Sequence, residues 1–139
     1  LVGSEMCIRD RLLLDDTYNA NVDSLQAAID VLKGYDAFRI LLVGDMKELG
    51  EDSLKCHQAV GEHAKQAQLD LVLSYGTESA VISEAVLGKH FKDKAELTAY
   101  ALDIIKQKLQ ENQKIVVLAK GSRSMKMEET IYSLKDSLC

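Results

Sequence analysis

Three short runs in the chain hold the residue types that could do chemistry. The first is DDTYNAN, from Asp15 to Asn21. Paired carboxylates can accept both hydroxyls of a ribose. The ring of Tyr18 can lie along a purine, and Asn19 and Asn21 place amides beside it. The competing reading is a polar loop that caps a helix. A lone acid pair would carry only that second reading; the seven-residue run carries more.

The second run is GDMKELG, from Gly44 to Gly50. Asp45 could accept hydrogen bonds from a substrate amine. Equally, Asp45, Glu48, Glu51 and Asp52 could satisfy backbone N–H groups and the dipole of the helix that follows. The residues alone leave both readings open. The third run is KGSR, from Lys120 to Arg123. Gly121 lets the backbone approach a ligand closely. Arg123 can grip a carboxylate with two parallel bonds. Ser122 or Ser124 can cap a helix whose free N–H groups favour anions. A capped helix with solvated charges is the ordinary reading of such a junction. What lifts it is the coincidence of all three runs at one edge of one sheet.

That edge is set by the elements between the runs. Leu12 to Leu14 reads as a strand stub. Asp23 or Ser24 can cap a helix that buries Leu25, Ala28, Ile29 and Leu32 and stops at Gly34. Phe38 to Val43, Leu69 to Ser74 and Ile115 to Leu118 are unbroken apolar runs of the kind buried on both faces. Helices are expected over Ser53 to Gln68, Thr77 to Leu87, Ala95 to Gln110 and Met125 to Leu138, with a short strand at Lys89 to Phe91. The second helix should turn Leu54, His57, Gly61 and Ala64 inward. Strands alternating with helices imply an α/β fold with a mostly parallel sheet and helices on both faces. In such sheets ligands sit beyond the carboxyl ends of the strands. All three polar runs fall there.

Composition narrows the function classes. The chain has 139 residues, which fits one domain. Its formal net charge is −5 and its cations are dispersed, which argues against nucleic acid or an anionic membrane as partner. No apolar run approaches the roughly 20 residues of a membrane span. Cys7, Cys56 and Cys139 show no ligand spacing, so neither zinc nor a disulfide framework is expected, and a reducing cytoplasmic setting fits. His57 lies on an apolar helix face, where a core histidine bonded to the backbone is expected. His63 is at the wrong spacing to share a metal with it. Met125 and Met127 are expected at the core or its rim. Residues 1–11 lack the periodicity of the rest and read as a non-native or ragged segment ahead of a domain over 12–139.

DDTYNAN, then GDMKELGE with His57 and VGEHA, then KGSRSMKMEE, resemble in this order the Mur ligase family. The likeness runs from about Leu12 to Cys139 and is to the C-terminal domain, which is Rossmann-like. The resemblance implies part of an ATP-dependent amide-forming ligase of peptidoglycan precursor synthesis, adding D-alanyl-D-alanine to UDP-N-acetylmuramoyl-tripeptide. It implies that Asp16 holds the ATP ribose, with Tyr18, Asn19 and Asn21 beside the nucleotide. Asp45 would form part of the dipeptide pocket, and Lys120, Ser122 and Arg123 would bind or orient the dipeptide. ATP and Mg2+ would be held mainly by a central domain, with a further UDP-binding domain, neither of which this sequence matches. No catalytic residue is implied within this stretch. Val22 stands where a proline often follows the second asparagine, which would loosen the hinge. Two alternatives are a sister amino-acid ligase and a receiver-type signalling domain, whose acids and lysine Asp15, Asp16, Asp45 and Lys120 imitate at unsuitable spacing.

Overall fold

The computed structural model describes residues 4–6 and 10–139, with side chains from Asp10 onward. Among the described residues six strands form one sheet: β1 (Ser4–Met6), β2 (Arg11–Asp15), β3 (Phe38–Gly44), β4 (Leu71–Tyr75), β5 (Lys89–Phe91) and β6 (Ile115–Lys120). Their order across the sheet is β1-β2-β6-β3-β4-β5. The five strands from β2 onward run parallel, and β1 alone is antiparallel, pairing Ser4 to Met6 with Asp15 to Leu13. The mostly parallel α/β architecture expected from the sequence is therefore present. The edge strand β1 was not anticipated, because three residues give periodicity too little length to register.

The α-helices of the described residues cover the sheet: α1 (Val22–Lys33), α2 (Ser53–Ala67), α3 (Ala80–Ala85), α4 (Lys94–Gln110) and α5 (Glu128–Leu138). Side chains alternate across a strand, and the core divides accordingly. Leu14, Leu41, Val43, Val72 and Leu118 face α1, α2 and α3. Leu13, Ile40, Leu42, Leu73 and Val117 face α4 and α5. Burial on both faces is why these strands read as unbroken apolar runs.

Several local expectations need correction. The N-cap of α1 is Asn21, whose side chain accepts from Ser24 N–H while Ser24 Oγ accepts from Asn21 N–H. The helix thus starts earlier than the Asp23 or Ser24 cap allowed, because a reciprocal capping box satisfies two free donors at once. Leu54 is 58% exposed and lies off the inner face of α2, which is instead lined by His57, Val60, Gly61 and Ala64. The closing helix does not begin at Met125. A 3-10 turn at Arg123–Met125 and a left-handed Lys126 (φ 50°) come first, and no side chain of Ser122 or Ser124 caps a helix. Cys139 is disulfide-bonded, against expectation; three dispersed cysteines carry no sequence signal for a bridge.

Candidate functional site

The carboxyl ends of β2, β6, β3 and β4 lie side by side, and they bring the three polar runs together. Lys120 ends β6 and is 3% exposed. Its Nζ donates to Asn19 O at 2.8 Å and Asp16 O at 3.4 Å, and lies 3.3 Å from Asp16 Oδ2. Burying an ammonium is costly unless it is paired and hydrogen-bonded. Here the partners come from DDTYNAN, so Lys120 ties that loop to the sheet.

The loop has its own internal order. Asp15 Oδ1 accepts from Thr17 N–H at 3.2 Å and from Thr17 Oγ1 at 2.5 Å. This turn sends Tyr18 outward, where it is 84% exposed. Asp16, Tyr18, Asn19, Asn21 and Lys120 then line a pocket of about 220 Å³ against α1. Those are the four residues expected at the nucleotide, plus a lysine expected at the dipeptide.

On the other side of Tyr18 lies a second pocket of about 310 Å³, lined by Asp15, Asp16, Thr17, Tyr18, Arg123, Glu128 and Tyr132. Arg123 projects from the 3-10 turn, with 58% of its side chain exposed. Glu128 holds it end-on: Nη1 donates to Oε1 at 3.0 Å and Nη2 to Oε2 at 2.5 Å. Nη1 also reaches Thr17 O at 3.4 Å. The hydrogen bonds and charge of Glu128 hold the guanidinium pKa above its ordinary value.

Asp45 and Ser122 sit behind this rim. Only 1% of the Asp45 side chain is exposed. Its carboxylate accepts from the backbone N–H groups of Thr77 (2.9 Å), Glu78 (3.1 Å) and Ser79 (2.9 Å). Burial pushes the Asp45 pKa up, but these backbone donors outweigh it and the net shift is downward. Asp45 does satisfy backbone donors, but they belong to the segment leading into α3 and not to α2, the helix that follows its own loop. Ser122 N–H donates to Asp45 O at 2.9 Å, and Ser122 Oγ accepts from Lys47 N–H at 2.7 Å. The KGSR corner is thereby bonded to the GDMKELG loop. His57, fully buried, accepts from Met46 N–H at 3.0 Å through Nε2 and bonds Ser53 O through Nδ1 at 2.7 Å, the core role expected of it. Met125 and Met127 are buried over the ends of β3 and β6, where a Cβ on Gly44 or Gly121 would meet them at 3.0–3.2 Å.

The four residues expected at the dipeptide thus take three different positions. Lys120 lines the pocket of Asp16 and Asn19, Arg123 lines the second pocket, and Asp45 and Ser122 brace the loops behind both. Sequence reasoning missed Lys94. Its Nζ donates to Met125 O (3.0 Å) and Lys126 O (3.1 Å) and pairs with Glu129 (2.6 Å), so it closes the turn that carries Arg123. No sequence signal links Lys94 to residues some thirty positions away. Glu128 and Tyr132 were also missed, although Glu128 falls inside the KGSRSMKMEE run.

The buried, fully bonded carboxylate of Asp45 is also unsuited to accept a phosphoryl group, which removes the receiver reading. Residues 4–123 match the family model described as Mur ligase, glutamate ligase domain. The chain belongs to the Mur ligase family. It is 69% identical over 127 residues to the UDP-N-acetylmuramoyl-tripeptide–D-alanyl-D-alanine ligase of Haemophilus influenzae, covering 91% of this chain and 28% of that protein. Two solved structures are similar at 28% identity and cover 96% of this chain. MurF from Acinetobacter baumannii superposes with a TM-score of 0.86 over 29% of its length, and MurF ligase from Thermotoga maritima, in complex with ADP, with 0.80 over 30%. The chain therefore spans about 28% of the length of this curated Mur ligase relative.

Proposed function

We propose that this chain is the C-terminal domain of a cytoplasmic ATP-dependent ligase that joins D-alanyl-D-alanine to UDP-N-acetylmuramoyl-tripeptide, with Ser4–Met6 and Arg11, which pair into the sheet, part of that domain rather than of a non-native segment. The observation that carries this reading is the pair of pockets sharing the Asp16–Tyr18 wall, in a chain 69% identical to a ligase of that name. The first pocket fits the nucleoside end of ATP. The Asp16 carboxylate lines this pocket and would accept from ribose hydroxyls, and Tyr18 offers an exposed face to the purine. At about 220 Å³ it is smaller than the roughly 300–1,000 Å³ of a self-sufficient ligand site, which suits a half-site completed by another domain. The ADP complex of the Thermotoga maritima relative supports nucleotide use.

The second pocket fits the dipeptide, with Arg123 taking its carboxylate. Lys120, Asp45 and Ser122 act on the dipeptide through the loops they hold. In the overall reaction ATP phosphorylates the tripeptide's terminal carboxylate, the dipeptide amine attacks the acyl phosphate, and phosphate leaves. This domain orients the nucleophile, a contribution of up to about 7–11 kcal/mol in the best cases. It also shields the acyl phosphate from water. Among the described residues no group of three or more acids, histidines or cysteines could hold a metal ion. Mg2+ is assigned to the central domain, and no step here runs through it.

The test uses the full-length ligase. Arg123→Ala is expected to raise the KM for D-alanyl-D-alanine well above its effect on the KM for ATP. Equal effects on both, or none on the dipeptide, would reject the assignment.

A further inference from the structure

We propose that Glu128 is a specificity-determining residue that restricts the Arg123 pocket to a nucleophile bearing one carboxylate and no further negative charge. This rests on the assignment of the dipeptide to Arg123 made above.

The argument starts with what Arg123 has left to offer. Glu128 occupies the end-on edge of the guanidinium, and Thr17 O takes a further share of Nη1. Among the described residues the Nε edge has no protein partner. One side-on carboxylate can therefore be bound bidentately, and a second one cannot. The charges around the pocket make the same selection. Asp15, Asp16 and Glu128 face it with one lining cation, Arg123. Lys120 pairs with Asp16 from the neighbouring pocket, which still leaves three acids against two cations. Thr17 serves Asp15 through neutral donors, and Arg123, the cation whose charge Asp15 meets, is already paired with Glu128.

A ligand that brings an amine together with its carboxylate matches this field. A ligand with an additional acidic side chain meets like charge with no free donor to absorb it, and rejection of that kind is how sites discriminate between close analogues. Glu128 is the decisive acid because it does both things. It consumes the donors a second carboxylate would need, and it adds the charge that repels it. Tyr18 and Tyr132 also line the pocket.

The experiment compares kcat/KM of the full-length ligase for D-alanyl-D-alanine and D-alanyl-D-glutamate. The wild-type enzyme is expected to favour the neutral-side-chain dipeptide strongly. Glu128→Gln should shrink that preference about tenfold, while Glu128→Asp should keep most of it. An unchanged preference in Glu128→Gln, or a wild-type enzyme that takes both dipeptides equally, would overturn the proposal. The wild-type enzyme gives a second reading without any variant. Raising salt towards about 1 M should narrow the preference, because the repulsion is partly screened; a salt-independent preference counts against it. Arg123→Ala run alongside separates the two levels. If it leaves the KM for D-alanyl-D-alanine unmoved, the dipeptide is bound elsewhere and the site reading itself fails.

Discussion

Lys120 Nζ and Asp16 Oδ2 meet at 3.3 Å across the carboxyl ends of the neighbouring strands β6 and β2, 104 residues apart in the chain. The contact joins the last polar run of the sequence to the first. It also fixes the wall that the two pockets share. Replacing Lys120 with Met removes the ammonium from Asp16 and from two backbone carbonyls at once. Loss of one partner of a buried pair costs about 3 kcal/mol or more. Urea unfolding of the 139-residue chain should show that loss as a lower midpoint with an unchanged slope. A midpoint within error of the parent would mean that the loop is held by other contacts.

Asp45 has a defined pH signature. Its pKa is lowered in the folded chain, so it contributes stability above its ordinary value of 3.8, and that contribution is lost as pH falls below 3.8 towards the folded value. Stability measured by denaturant between about pH 5 and pH 2 should therefore fall, and fall less steeply in Asp45→Asn. Identical slopes in both proteins would show that other groups govern the acid limb.

Gly76 should be intolerant of any side chain. Its φ is +127°, and a Cβ there would sit 2.3 Å from Asp45 Oδ1. Gly76→Ala combines backbone strain with displacement of a buried carboxylate, and is expected to cost about 2–4 kcal/mol. Thermal unfolding of the pair would check it, and a shift of under a degree would contradict the geometry.

Tyr18 separates binding from stability. With its side chain exposed, Tyr18→Ala should leave the unfolding free energy within about 0.5 kcal/mol of the parent. The same change in the full-length ligase should weaken ADP binding several-fold by calorimetry. Unaltered ADP affinity would remove Tyr18 from the nucleotide pocket.

Lys94 acts at one remove from Arg123. Lys94→Met frees the carbonyls of Met125 and Lys126 and unpairs Glu129, whose pKa Lys94 holds below its ordinary value. In the full-length ligase the KM for the dipeptide should rise with little change in the KM for ATP, and Lys94→Arg should restore part of it. Parallel changes in both constants would point to general loosening of the domain instead.

The architecture was legible because β3, β4 and β6 are apolar on both faces and α1 and α2 repeat at helical spacing. Those patterns are local consequences of burial and need only a few neighbouring residues to read. Where the pattern was short or mixed, the reading slipped. The box at Asn21 and Ser24 moved the start of α1, and the 3-10 turn at Arg123–Met125 delayed α5, because capping and turn geometry are chosen by single hydrogen bonds. Leu54 was misplaced because an apolar residue in the first turn of a helix can point either way without breaking the period.

The candidate site divides in the same manner. Residue types and order were enough to mark DDTYNAN, GDMKELG and KGSR, and strand ends put all three on one rim. What each polar group does there depended on partners from distant segments. Asp45 is committed to the 77–79 backbone, Ser122 to Lys47, and Lys120 to the loop of Asp16. The chain's chemistry and its α/β plan are therefore written in the sequence, since both follow from side-chain identity and short-range periodicity. Which charges stay free for a ligand was settled only by tertiary packing, since a buried charge must find partners wherever the fold supplies them.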